Sequence, residues 1–179
     1  MGARRNTILG LAAIVAFVAS GLLANAQESQ PVAGSPEIDY QGFSEMTDKV
    51  MAYREGRLVS LAAFNEMKSE PDTILLDTRS RLAYDMGHID GAVHLDFSDF
   101  TDEKLADVIP SKGTRILIYC NNNFADDIEP VMLKRAPLAL NIPTFINLYG
   151  YGYENIYELG EMVSAEDEAV NWVSTLQTP

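Results

Sequence analysis

Cys120 is the one thiol in this sequence and its strongest candidate nucleophile. It follows the apolar run Ile116-Leu117-Ile118-Tyr119 and precedes Asn121-Asn122-Asn123. A strand ending in a polar turn brings the thiol to the carboxyl edge of a sheet, where functional groups of open α/β sheets collect. The reactive form is the thiolate, a minor species of a free thiol at neutral pH. A chain curling from a strand end into a helical turn aims backbone N–H groups at one point and stabilises an anion there. Asparagine suits such a turn because it tolerates left-handed backbone. The residues expected to supply those N–H groups are Asn121, Asn122, Asn123, Phe124 and Ala125. The usual fate of a lone cysteine is to be a small, inert part of a core. Its place at a strand end before a polar triplet is what argues for a reactive group.

The other candidates are few. Asp77 and Arg79 close a strand expected beside that of Cys120; they either shape the pocket floor or form an ion pair that holds the sheet end. His88 and His94 are the only histidines, so with one cysteine there are too few soft ligands for a Cys/His metal site. No internal disulfide is possible, and a thiol redox cycle lacks a resolving partner. Tyr149, Tyr151, Tyr153 and Tyr157 are expected to pack rather than to react. Acidic residues number 26 against 13 basic ones, a net charge of -13. Such a balance argues against a nucleic-acid binder and against docking of the folded part on an anionic membrane.

The elements that must position Cys120 follow from periodicity. Phe43, Met46, Val50 and Tyr53 predict an amphipathic helix over 43–54. Residues 58–59 make a very short strand, and Ser60 caps a helix to about Lys68. Apolar strands are predicted over 73–76, 92–95 and 115–119, with a short helix over 81–86 and another from Thr101 to about Ile109. Pro143 suits the first turn of a helix reaching about Tyr149. A last strand over 155–159 and a terminal helix over 166–176 complete the pattern. Short strands, apolar on both faces and alternating with helices, define an α/β protein with a mostly parallel sheet covered on both sides.

Residues 1–26 read as a signal peptide: Arg4 and Arg5, an apolar run, then Ala24-Asn25-Ala26. The run is shorter than the ~20 residues of a comfortable membrane span, and an uncleaved anchor is the alternative. Cleavage after Ala26 implies a periplasmic or secreted protein. Residues 27–40 form a flexible leader, and 41–179 a single domain.

Two stretches resemble a known family. Leu76-Asp77-Thr78-Arg79-Ser80, continued by Tyr84-Asp85-Met86-Gly87-His88-Ile89-Asp90-Gly91-Ala92-Val93-His94-Leu95, is similar to the first signature of rhodanese-like domains. Ile116 to Cys120 looks like the strand that delivers their cysteine, and Gly152 to Leu159 like their last-strand motif. Trp172 stands where the family often has a tryptophan. The resemblance implies a parallel five-stranded sheet with helices on both faces and a structural role for His88. It implies a sulfurtransferase that carries sulfane sulfur as a persulfide on Cys120, and the signal peptide makes that enzyme an exported one. Its donor would be thiosulfate or a persulfide and its acceptor a thiol or a cyanide-like nucleophile, with no metal and no cofactor. The alternative is a catalytically inactive rhodanese-like module that binds a partner.

The departures are specific. No base occurs in 121–127, where the family often has an arginine, and the segment between Cys120 and Gly152 is longer than usual. The missing arginine speaks against the phosphatase and arsenate-reductase relatives, which clamp an oxyanion with it. Lys134 and Arg135 are the nearest downstream bases, and the enlarged segment is a way to fold them over the site. Asp126, Asp127 and Glu129 are expected to oppose both the thiolate and a dianionic donor.

Overall fold

In the computed structural model, which describes residues 36–175 together with Gly34, Asp39 opens the first helix by accepting the Gly42 N–H on its carboxylate. The expected signal peptide, most of the leader and the last four residues lie outside the described residues. The chain divides into two units, 1–38 and 39–179, and only the second is described further.

Helix α1 spans Tyr40–Arg54, and strand β1 (Leu58–Val59) follows. Ser60 caps α2 (Leu61–Lys68) through the Ala63 N–H. Then come β2 (Thr73–Asp77), α3 (Arg81–Met86), β3 (His88–Ile89) and β4 (Ala92–His94). Thr101 caps α4 (Asp102–Val108), and β5 (Arg115–Tyr119), α5 (Asn141–Gly150), β6 (Ile156–Leu159) and β7 (Trp172–Val173) complete the order. Five strands form one parallel sheet, as the resemblance implies, and their order is β1-β6-β5-β2-β4.

Strand β5 lies in the middle and shows why the sheet needs helices on both faces. Ile116 and Ile118 enter a core with Val50 of α1, Leu105 of α4 and Phe145 of α5. Leu117 and Tyr119 enter the opposite core with Phe64 of α2 and, at its margin, Tyr84 of α3. Successive strand side chains point to opposite faces, so an apolar run buried on both is the expected solution. Each such side chain contributes about 1.5–3 kcal/mol when fully buried.

The terminal helix expected over 166–176 does not form. Asn171 takes a left-handed conformation, φ 52°, and the chain turns into β7, antiparallel to β3. Asp90 N–H donates to Asn171 O at 2.9 Å, and Val170 is fully buried. Trp172 packs edge-on to Phe124, with ring centroids 4.8 Å apart. Tertiary burial of Val170 and Trp172 overrides a weak local preference for helix.

Candidate active site

Cys120 leaves β5 in extended backbone and enters the one-turn helix Asn121–Asn123. Asn123 fixes this turn from inside: its Oδ1 accepts the Cys120 N–H at 3.0 Å, and its Nδ2 donates to the carbonyls of Leu159 and Glu161. Asn122 ties the turn to the segment above it. Its Nδ2 donates to Lys134 O at 2.7 Å, and its Oδ1 accepts the Lys134 N–H.

Of residues 121–125, expected to supply N–H groups to the thiol, Asn122 and Asn123 do so, and Phe124 and Ala125 do not. Asn123 N–H donates to Cys120 O, Phe124 N–H to Asn121 O and Ala125 N–H to Val163 O. The Phe124 and Ala125 donors are used up in the turn and in a bridge to Val163, whereas the Asn123 N–H also reaches the Cys120 side chain. Further backbone N–H groups that face the thiol belong to Asn141, Asn122 and Leu140. Two of them come from the start of α5, where the first N–H groups have no carbonyl partner within the helix. The long segment after Cys120 thus returns the chain to its own thiol.

Burial, with Cys120 1% exposed, pushes this thiol above its ordinary value. The three N–H groups pull the other way, and Glu158 pushes it further up. Burial prevails, and the resting group is a protonated thiol. The carboxylate that bears on it is therefore Glu158, not the acidic residues after the loop. Asp126 Oδ2 accepts the Ala165 N–H and Asp127 Oδ1 the Leu133 N–H. Asp126, Asp127 and Glu129 line neither cavity at Cys120.

Glu158 is buried in β6 and held from two sides. Its Oε2 meets Arg54 Nε at 2.5 Å, and its Oε1 accepts Asn141 Nδ2 at 3.1 Å. Asn141 Nδ2 also reaches Asn123 Oδ1, at 3.2 Å. A line of contacts therefore runs from Arg54 through Glu158, Asn141 and Asn123 to the backbone of Cys120. Sequence reasoning missed Arg54, Asn141 and Glu158. A signal existed for Glu158: it is the one charged residue in the otherwise apolar strand 156–159.

Cys120 stands between two cavities. The smaller, about 230 Å³, is bordered by Thr78, Ser80, Asn121, Lys134 and Leu140. Asn121 is 5% exposed and its Nδ2 has no partner, so the cavity borders a buried residue with a free donor. The larger, about 730 Å³, is bordered by Met51, Arg54, Ile142, Glu158 and Met162 among others. Lys134 reaches the smaller cavity as the sequence suggested, whereas Arg135 lines neither.

Asp77 and Arg79 form a buried pair. Arg79 Nη2 donates to Asp77 Oδ2 and to Gly87 O, both at 2.6 Å, and Tyr119 Oη donates to Asp77 Oδ2 at 2.6 Å. The guanidinium lies near the rings of Tyr119 and Trp172, 5.4 and 5.2 Å from their centroids. Of the two roles open from sequence, the side chains take the structural one, while the segment through Arg79 borders the smaller cavity. Burial pushes the Tyr119 phenol well up, and Asp77 adds to it, so Tyr119 acts as a donor here. His88 bonds Tyr84 O through Nδ1 and stacks on that ring, and His94 Nε2 bonds Arg79 O, both at 2.8 Å. Neither borders a cavity at Cys120.

A family model described as a rhodanese-like domain matches residues 60–160, and the chain belongs to that family. Among curated proteins it is similar to the tRNA uridine(34) hydroxylase of Cytophaga hutchinsonii, 35% identical over 108 residues, covering 59% of this chain and 30% of that one. It is also similar to the protein of that name from Bacillus velezensis, 39% identical over 62 residues, covering 32% of this chain and 19% of that one. The match thus spans less than a third of the length of these relatives. A solved structure of the BH2092 protein from Bacillus halodurans aligns over 65% of this chain and 74% of that chain, with 16% identity and a TM-score of 0.43.

Proposed function

We propose that the protein is a sulfurtransferase in which Cys120 takes a sulfane sulfur from a small donor, holds it as a persulfide and passes it to a thiol or cyanide-like nucleophile. The observation that carries this is the convergence of the Asn122, Leu140 and Asn141 N–H groups on the thiol at the carboxyl end of the central strand. In the first step the Cys120 thiolate attacks the outer sulfur of the donor, its proton having left to solvent. A new S–S bond forms, and the donor's remaining part departs with the electron pair. In the second step the acceptor attacks that outer sulfur, and Cys120 leaves as a thiolate. Both leaving and attacking sulfur carry negative charge beside the same N–H groups, which stabilise it in both steps. No electron is gained or lost overall.

The smaller cavity supports the donor's side of this chemistry. It is sized for a small molecule, and it is bordered by Lys134 and by Asn121, whose amide Nδ2 is free. Export through residues 1–26 belongs to the same proposal, with action in the periplasm or outside the cell; N-terminal sequencing of the exported protein checks it. An activity on tRNA, which the relatives' name describes, fits less well: a chain of net charge -13 repels a polyanion.

The burial of the thiol favours a second reading, a catalytically silent module of the same fold. Intact mass after incubation with a persulfide donor separates the two. Sulfur carriage adds one sulfur atom, roughly 32 Da, to the peptide containing Cys120. A protein that never gains that mass in its folded state is the silent module.

A further inference from the structure

We propose that the larger cavity beside Cys120 is the acceptor subsite, and that it takes a low-molecular-weight thiol with an apolar body and no net negative charge. This rests on Cys120 being a sulfur carrier and adds which nucleophile removes the sulfur and from which side. The cavity, about 730 Å³, falls within the range that holds small organic ligands. Its rim is apolar and open: Met51, Leu58, Ile142 and Met162 are 65%, 43%, 39% and 64% exposed. Beneath them Val50, Phe145 and Leu159 are buried. Thioethers and aliphatic side chains grouped around one opening suit an apolar ligand body.

Charge separates the two cavities. The larger is bordered by Glu55, Glu158 and Glu161 against a single base, Arg54, which is already paired with Glu158. The smaller has Lys134 against Asp96, and Arg79 at its border is paired with Asp77. An anionic acceptor is therefore repelled from the side where an apolar one is welcomed. The wall also has an origin of its own. Val50, Met51, Arg54 and Leu58 precede residue 60, so α1 and β1 add to the family segment a surface that faces its cysteine.

The transfer balances without a further reagent. The acceptor thiolate attacks the outer sulfur of the Cys120 persulfide, its proton having gone to solvent. The acceptor's new S–S bond forms as the Sγ–S bond of Cys120 breaks, and that electron pair stays on Sγ.

The test uses full-length protein loaded beforehand with persulfide, the adduct verified by intact mass, and follows loss of the added sulfur. The acceptors are benzyl mercaptan, glutathione and cyanide, the two thiols compared at equal thiolate concentration. Benzyl mercaptan is expected to discharge the protein about tenfold faster than glutathione. Met51→Trp and, separately, Ile142→Trp fill the opening from exposed positions; either is expected to slow benzyl mercaptan about tenfold and cyanide less than about twofold. Glu161→Lys is expected to narrow the glutathione gap, most at low salt. Equal discharge by both thiols in the native protein overturns the proposal. So does an equal slowing of benzyl mercaptan and cyanide in both folded tryptophan variants. A protein that never loads sulfur fails earlier, at the proposed function; one that loads but shows no acceptor preference sinks the subsite alone.

Discussion

Asn141 touches Glu158 with its side chain and Cys120 with its backbone. Its Nδ2 donates to Glu158 Oε1 at 3.1 Å, while its backbone N–H faces the thiol. One residue at the start of α5 thus carries both the donor that stabilises a thiolate and the contact to the carboxylate that opposes it. Arg54, from α1, holds the far oxygen of that carboxylate.

Opposite shifts are expected from the two ends of this line. Glu158→Gln keeps an acceptor for Asn141 and removes the negative charge, so the midpoint of Cys120 alkylation with pH should fall by about half a unit to one unit. Arg54→Gln leaves the carboxylate uncompensated, and the midpoint should rise by a similar amount, about half a unit. Arg54→Lys should restore it in part. Movement of both in the same direction would show that the shifts come from loosened packing instead.

Stability should depend on alkaline pH through Cys120. Burial raises this thiol, so the folded protein keeps a proton that the unfolded chain releases. The stabilisation is complete below the unfolded value, about 8.5, and is lost as pH rises through the higher folded value. The thermal midpoint should therefore fall faster above about pH 8.5 in the native protein than in Cys120→Ser. Tyr119, whose phenol is also raised, titrates in both proteins and cancels in the difference. Parallel curves would mean that the thiol is not perturbed.

Much of this arrangement was legible in the sequence. The order of strands and helices up to Leu159, apart from the two-residue β3, follows from periodicity and from the caps Ser60 and Thr101, both observed. Cys120 at a strand end follows from the apolar run before it. What periodicity does not carry is which distant backbone returns to the thiol. Leu140 and Asn141 meet Cys120 only because the segment after the cysteine folds back, and no local pattern marks that return. The same limit hid the roles of Asp126 and Asp127. Their nearness to Cys120 in sequence suggested repulsion, but each carboxylate caps a backbone N–H instead.

The buried pair should be costly to break. Asp77 is fully buried, and Arg79 is 3% exposed. Asp77→Ala leaves the guanidinium uncompensated, and a loss of about 3–5 kcal/mol in a denaturant titration is expected. A loss below about 1 kcal/mol would place the pair in a solvated setting.

Two glycines of the family motif should fail for different reasons. A Cβ on Gly87 runs into the Trp172 indole, so Gly87→Ala should displace the indole and alter tryptophan emission. Gly91 has open space around it but sits at φ +83°, so Gly91→Ala should cost about 1 kcal/mol of stability with emission unchanged. Identical emission changes in both would contradict this division.

Sulfur delivery from the loaded protein is the most direct measurement. Native protein and Cys120→Ser are each incubated with isotopically labelled sulfane donor, freed of excess donor and mixed with cyanide in a single turnover. The native protein is expected to yield about one labelled thiocyanate per chain, in step with disappearance of the Cys120 adduct, and Cys120→Ser none. Labelled product at the same yield from folded Cys120→Ser, or none from the native protein, would contradict a persulfide on Cys120 as the carrier.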